Sequence, residues 1–238
     1  MRDKFFLKPG LHAKFFEGQQ SLLEHLRPEN VKLVAACNSG DGSLLEDEPP
    51  PFHLPSLMHI WEMPKWRTLY KLMWSFSETD WYADDVSSLQ IEHQDLLVGI
   101  ASDVDLEPRP RDWKGGPAPK YVYVYQEVRL HSYMTRLTYL RHLNWVIANI
   151  GDRGWHLQWA AAEVTGTPSQ ICLLWRVESE DLVTKTLHWL GSDPDTRDRY
   201  AEMMLGIGSF HQELLHPEST EAIDNRLDST PEKAPSAG

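Results

Sequence analysis

Tyr82 is followed eleven residues later by His93-Gln94-Asp95-Leu96-Leu97, and Tyr200 is followed eleven residues later by His211-Gln212-Glu213-Leu214-Leu215. The two stretches lie 118 residues apart, and other landmarks keep nearly that distance. Leu11-His12 matches Leu130-His131 at 119 and Trp61 matches Trp175 at 114. Each Trp ends a short apolar run and precedes a helix-like segment with a second Trp, Trp74 or Trp189. A long fixed period with landmarks in the same order marks a duplicated unit.

Each half reads as strand, helix, strand, strand, helix, short strand. In the first half Lys4 to Lys8 is extended and Pro9-Gly10 breaks it; Leu11 to Leu26 then recurs helically through Phe15, Leu22 and Leu23 until Pro28. Val31 to Cys37 and Leu57 to Met63 are the next strands, a helix begins at Arg67, and His93 to Val98 closes the half. The second half repeats this with a strand at Lys120 to Leu130, a helix at Tyr133 to Ile150 and strands at His156 to Glu163 and Gln170 to Val177. Its second helix starts at Leu182, breaks at Gly191-Ser192-Asp193-Pro194 and resumes at Arg197, before His211 to Leu215 closes the unit. Residues 1–100 and 120–216 are thus the expected repeats, and 101–119, rich in Pro and Gly, is the expected linker. An acidic, Pro-rich loop is expected at 38–55 and a disordered tail at 217–238.

With 238 residues, 41% hydrophobic and 24% charged, the chain is globular and large enough for a real core without staples. A net charge of −12 disfavours nucleic acid and anionic membranes, both of which need clustered Lys and Arg. No signal peptide or membrane-spanning run is read, so a cytoplasmic protein is expected. Cys37 and Cys172 each sit in an apolar strand and are expected as buried free thiols.

A βαββαβ unit repeated once is the ferredoxin-like arrangement. The run Gly154-Trp155, Glu163-Val164-Thr165-Gly166, Gln170, Leu174-Trp175, Ser179 and Asp193-Pro194 resembles the NIPSNAP family, and Met58-His59-Ile60-Trp61 resembles the same Trp-ended strand. The resemblance implies an α+β fold in which two tandem ferredoxin-like repeats form a dimeric α+β barrel within one chain. That superfamily includes cofactor-independent monooxygenases, muconolactone isomerase-like proteins and haem enzymes such as chlorite dismutases and aldoxime dehydratases. Fold alone does not choose among them.

Alternation on the strand at Tyr121 sets Tyr121, Tyr123, Tyr125, Glu127 and Arg129 on one face and Val122, Val124, Val128 and Leu130 on the other. The aliphatic face should pack on helices and the Tyr/Glu/Arg face should line a barrel pocket, with a solvated face as the alternative. His59, Trp61 and Met63 share a face of their strand. Trp61 has a counterpart in Trp175, whereas His59 stands where the other copy has Leu173, so His59 invites a proton-transfer role. The pairs His93/Asp95 and His211/Glu213 occur in both copies and are read as scaffold; no spacing supports a metal site.

The expected function is a small-molecule enzyme acting on a hydrophobic aromatic or polyketide-like substrate, as in secondary metabolism, by oxygenation, isomerisation or cyclisation without a nucleotide cofactor. His59 or Glu127 would move a proton and Arg129 or Tyr125 would stabilise an oxyanion, while Trp61, Met63, Tyr121 and Tyr123 enclose the substrate. The alternatives are a non-catalytic NIPSNAP-like binding or scaffold protein and a haem enzyme using His142 or His188 as axial ligand. The chain is expected to act as a monomer or homodimer.

Overall fold

The computed structural model describes residues 2–7, 31–39, 56–63, 65, 67–68, 89–95, 97–99, 121–163 and 169–217. The expected helix at 11–26, the body of the helix from Arg67 beyond Thr68, the loop 38–55 beyond Ser39, the linker 101–119 and the tail after Pro217 lie outside the described residues. In the first half the strands are β1 (Arg2–Leu7), β2 (Lys32–Asn38), β3 (Ser56–Glu62), β4 (Leu89–Asp95) and β5 (Leu97–Gly99). The second half runs β6 (Val122–Leu130), α1 (Arg136–Ile150), β7 (Trp155–Glu163), β8 (Gln170–Val177), α2 (Glu180–Ser192), α3 (Pro194–Leu205) and β9 (Ile207–Pro217). The second half is the full βαββαβ unit.

One sheet takes all nine strands in the order β4-β1-β3-β2-β9-β6-β8-β7-β5. Each half contributes the same internal order: last strand, first, third, second. The strands at the two ends of this order, β4 and β5, are separated in the chain by Leu96 alone, so the sheet curls round and closes on itself. Closure is by exchange. In the first half β4 pairs with β1 and its continuation β5 pairs with β7 of the second. In the second half β9 pairs along β6 and its last residues, His216 and Pro217, pair with Asn38 and Cys37 of β2. The duplicated His-Gln-acid-Leu-Leu therefore sits at the place where each closing strand crosses from its own half to the other. This architecture is an α+β barrel with both ferredoxin-like units in one chain.

Strand alternation sorts the core into two layers. Val122, Val124, Val128 and Leu130 of β6 join Leu173 and Trp175 of β8 and Tyr139, Leu140 and Leu143 of α1 in one cluster on the helix side. Ala35, Cys37, Met58, Ile60, Tyr125, Trp159, Cys172, Leu174 and Leu215 form a second cluster to which no described helix contributes, the lumen of the barrel. With β4 and β5 taken as one, eight strands enclose a space that side chains fill or that admits one small ligand.

Candidate functional site

The face set by Tyr121, Tyr123, Tyr125, Glu127 and Arg129 lines the lumen, as alternation requires: Tyr125 belongs to the lumen cluster and Tyr123 packs against it. The register brings other polar residues to the same face, because residues paired across a ladder share a side. On β9, His211 pairs with Glu127 and Glu213 with Tyr125. On β1, Arg2 pairs with Ile60 and Lys4 with Met58, so both cations point inward.

These groups meet across the barrel. Strands β1 and β6 are not neighbours in the sheet, yet the Arg2 guanidinium donates through Nη1 to both the Tyr125 hydroxyl and Glu127 Oε1. Tyr125 in turn donates to Glu127 Oε1 at 3.3 Å. Beside them Lys4 Nζ bonds Glu213 at 3.2 Å. Arg2 is buried, its side chain only 4% exposed, whereas Glu127 keeps 30%. Cationic residues of the first half thus neutralise carboxylates of the second. Among the described side chains two cations face two carboxylates, with one end open toward solvent at Glu127 and the exposed His211.

The electrostatics follow from this placement. Burial alone would raise the Glu127 carboxyl, but the Arg2 hydrogen bond and charge, with help from Tyr125 and His211, hold it below its ordinary value of 4.5. Burial pushes the Tyr125 hydroxyl well above its ordinary range, and the neighbouring Cys172 thiol is pushed up to about 11 chiefly by burial. Near neutral pH the site therefore holds an ionised carboxylate, a fixed guanidinium and a protonated phenol. Such a set can accept a proton at Glu127 and offer donors from Arg2 and Tyr125 to a developing oxyanion.

The other expected residues fall elsewhere. Arg129 is exposed at the rim and donates to Gln170 at 3.4 Å. Met58 and Ile60 are the lumen residues of β3, so His59 and Trp61 occupy its opposite face, buried edge to face at 5.9 Å. The structure does not bring His59 or Trp61 together with Tyr125, and Met63 lies beyond the end of β3. Arg2, Lys4, Cys172, His211 and Glu213 join the site without having been expected there. For the second copy of the duplicated motif the reading as scaffold is incomplete, since its His and Glu face the lumen as well as sitting at the closure. The register sets His93 opposite Lys4 and Asp95 opposite Arg2.

Of the two haem candidates, His142 is half-buried on α1 and His188 is exposed on α2, so neither faces the lumen. Among the described residues no group of three or more His, Cys, Asp or Glu is placed to hold a metal ion, and no helix is long and apolar enough to cross a membrane.

No family model matches the chain, and no curated protein matches it. Solved structures do. A Lactobacillus acidophilus protein to which monooxygenase activity is ascribed superposes with a TM-score of 0.54 at 9% identity, over 90% of this chain and 91% of that one. Chlorite dismutase from Candidatus Nitrospira defluvii, in complex with imidazole, superposes with a TM-score of 0.53 at 10% identity, over 95% and 93%. A NIPSNAP family protein from Agrobacterium tumefaciens aligns with 43% of this chain and 90% of its own at 17% identity, with a TM-score of 0.37, an overlap too slight to place the chain in that family. At these identities the likeness shows the fold, the α+β barrel, and nothing of the chemistry.

Proposed function

We propose that the barrel is a small-molecule enzyme that works by acid/base chemistry in its lumen, on a hydrophobic aromatic or polyketide-like substrate that passes through an enolate. The observation that carries this reading is the Arg2–Tyr125–Glu127 triad reaching across the lumen. Glu127 is the proton acceptor, and Arg2 and Tyr125 are the oxyanion donors, with Arg2 taking the role first expected of Arg129. Oxygenation, isomerisation and cyclisation of an enolisable substrate can each start from such a proton removal. The apolar lumen wall of Met58, Ile60, Trp159 and Leu174 matches a hydrophobic substrate.

Deuterium exchange at the α-carbon of 2-tetralone, an aromatic ketone, tests the reading by NMR. The wild-type protein is expected to accelerate exchange over buffer, and Glu127→Gln to lose about 100-fold of that acceleration, the usual scale for a positioned base. No acceleration by the wild type, or equal acceleration by Glu127→Gln and Tyr125→Phe, contradicts it.

A second reading, a non-catalytic binding or scaffold protein, is favoured by the dense centre of the lumen, where Tyr125, Leu174 and Ile60 are 0% exposed. It predicts no exchange.

A further inference from the structure

The lumen has a second polar end. On β8 alternation runs Ile171, Leu173, Trp175 and Val177 toward the helices and Cys172 and Leu174 inward, so Arg176 points inward beyond Leu174. It pairs with Tyr123 of β6, and its guanidinium lies 5.9 Å over the ring of Tyr121. Tyr121 and Tyr123 meet edge to face at 5.4 Å.

On β7 the register slips by one residue between Leu157 and Trp159, leaving Gln158 as the extra residue of a bulge. Leu157 faces the helices and Trp159 the lumen, and the bulged Gln158 between them is assigned to the inward side by its equivalence to the bulged residue of the first half. The first half repeats the device: β2 slips between Leu33 and Ala35, and its bulged residue, Val34, packs against the lumen cluster. The duplicated position thus carries valine in one copy and a carboxamide in the other.

Gln158 is only 7% exposed, and its Nε2 is buried without a hydrogen-bond partner among the described residues. The Nε of Arg176 is in the same condition, and no carboxylate among the described residues bonds this guanidinium. Buried donors are ordinarily satisfied, and two on adjacent strands at one end of a lumen call for an acceptor between them. The Nε side of an arginine fork is one edge that meets a carboxylate with two parallel bonds. One guanidinium and one carboxamide carry the orphaned donors, framed by the tyrosine rings and by His156, which pairs with Arg176 and is bonded through Nε2 to Glu178 at 3.4 Å; a single cation beside a carboxylate suits a planar monoanion better than a multiply charged phosphate.

We propose that this end of the lumen, built by Arg176, Gln158 and the Tyr121–Tyr123 pair, binds the carboxylate of an aromatic acid. Tyr123 and Glu127 are four residues apart on one strand, about 13 Å, so the recess is distinct from the Arg2–Tyr125–Glu127 triad and does not depend on its chemistry.

Calorimetric titration of the full chain with 2-naphthoate tests the assignment, with 2-naphthylmethanol and inorganic phosphate as the neutral and inorganic arms. The naphthoate is expected to bind, and both other probes to bind at least about tenfold more weakly, the scale of a charge-assisted hydrogen bond. Arg176→Gln is expected to weaken naphthoate by about tenfold or more on the same scale. Gln158→Val installs the residue the other copy carries, and should weaken naphthoate several-fold while raising the melting temperature. Glu127→Gln should leave naphthoate affinity unchanged, which separates this recess from the triad. Absence of naphthoate binding, naphthoate bound no better than the alcohol or phosphate, or wild-type affinity in Gln158→Val overturns the proposal; the last decides even if Arg176→Gln fails to fold.

Discussion

Glu127 illustrates how one side chain bears on both stability and the proposed chemistry. It is held ionised by Arg2, a cation buried from the far side of the barrel. Breaking a buried pair by removing one partner leaves an uncompensated charge, typically about 3–5 kcal/mol. Glu127 keeps some solvent, so Glu127→Gln is expected to cost less, roughly 2–3 kcal/mol in denaturant unfolding. Arg2→Met combined with Glu127→Leu should recover part of that loss, because both members of this pair are removed together. The pH dependence has a definite sign. A carboxyl whose folded pKa is depressed stabilises the protein fully above its unfolded value, near 4.5, and loses that contribution as pH falls through the lower folded value. An acid titration of stability should therefore be flatter below pH 4.5 in Glu127→Gln than in wild type, and an unchanged acid limb would contradict the pairing.

Among the elements, the turn from α1 into β7 was legible because its chemistry is local. Gly154, the first residue of the Gly-Trp pair, has φ +77°, and a Cβ there would come within 2.9 Å of Leu182 Cδ1. Left-handed backbone costs a non-glycine residue about 1–2 kcal/mol before any clash. Gly154→Ala should lower stability by at least that amount in thermal unfolding; a neutral effect would refute the account of this turn. The break between α2 and α3 is equally local: Asp193 Oδ2 accepts from the Thr196 backbone N–H at 3.0 Å, and Pro194 occupies the first turn, where its missing N–H costs nothing. Strand β8 falls on Gln170–Val177 as expected, since a central strand with a nearly continuous apolar run admits little else. The bulges at Val34 and Gln158 were not legible, because a single inserted residue leaves no composition signal.

For the whole molecule, the described strands of the two halves take the same order in one sheet, and the α+β barrel follows from their pairing. The site was half legible. Period-two alternation identified the lumen face of β6, because face membership is a property of one strand. It does not show which strands confront each other across the lumen, so nothing in the sequence singles out Arg2 and Lys4 near the start of the chain, and His59 stands out by its asymmetry alone. The missed signal was complementarity: cations at i and i+2 of β1 against carboxylates on β6 and β9. Because each half lends its closing strand to the other, the two should unfold together. Tryptophan fluorescence and circular dichroism are expected to trace one coincident denaturation transition, and two separated transitions would contradict the exchanged closure. Whether the proposed chemistry lies in the lumen or on the outer face of β3 is decided by 2-tetralone exchange in Glu127→Gln and His59→Ala side by side. About a 100-fold loss is expected for Glu127→Gln and near wild-type exchange for His59→Ala; the reverse pattern would rule out the lumen site.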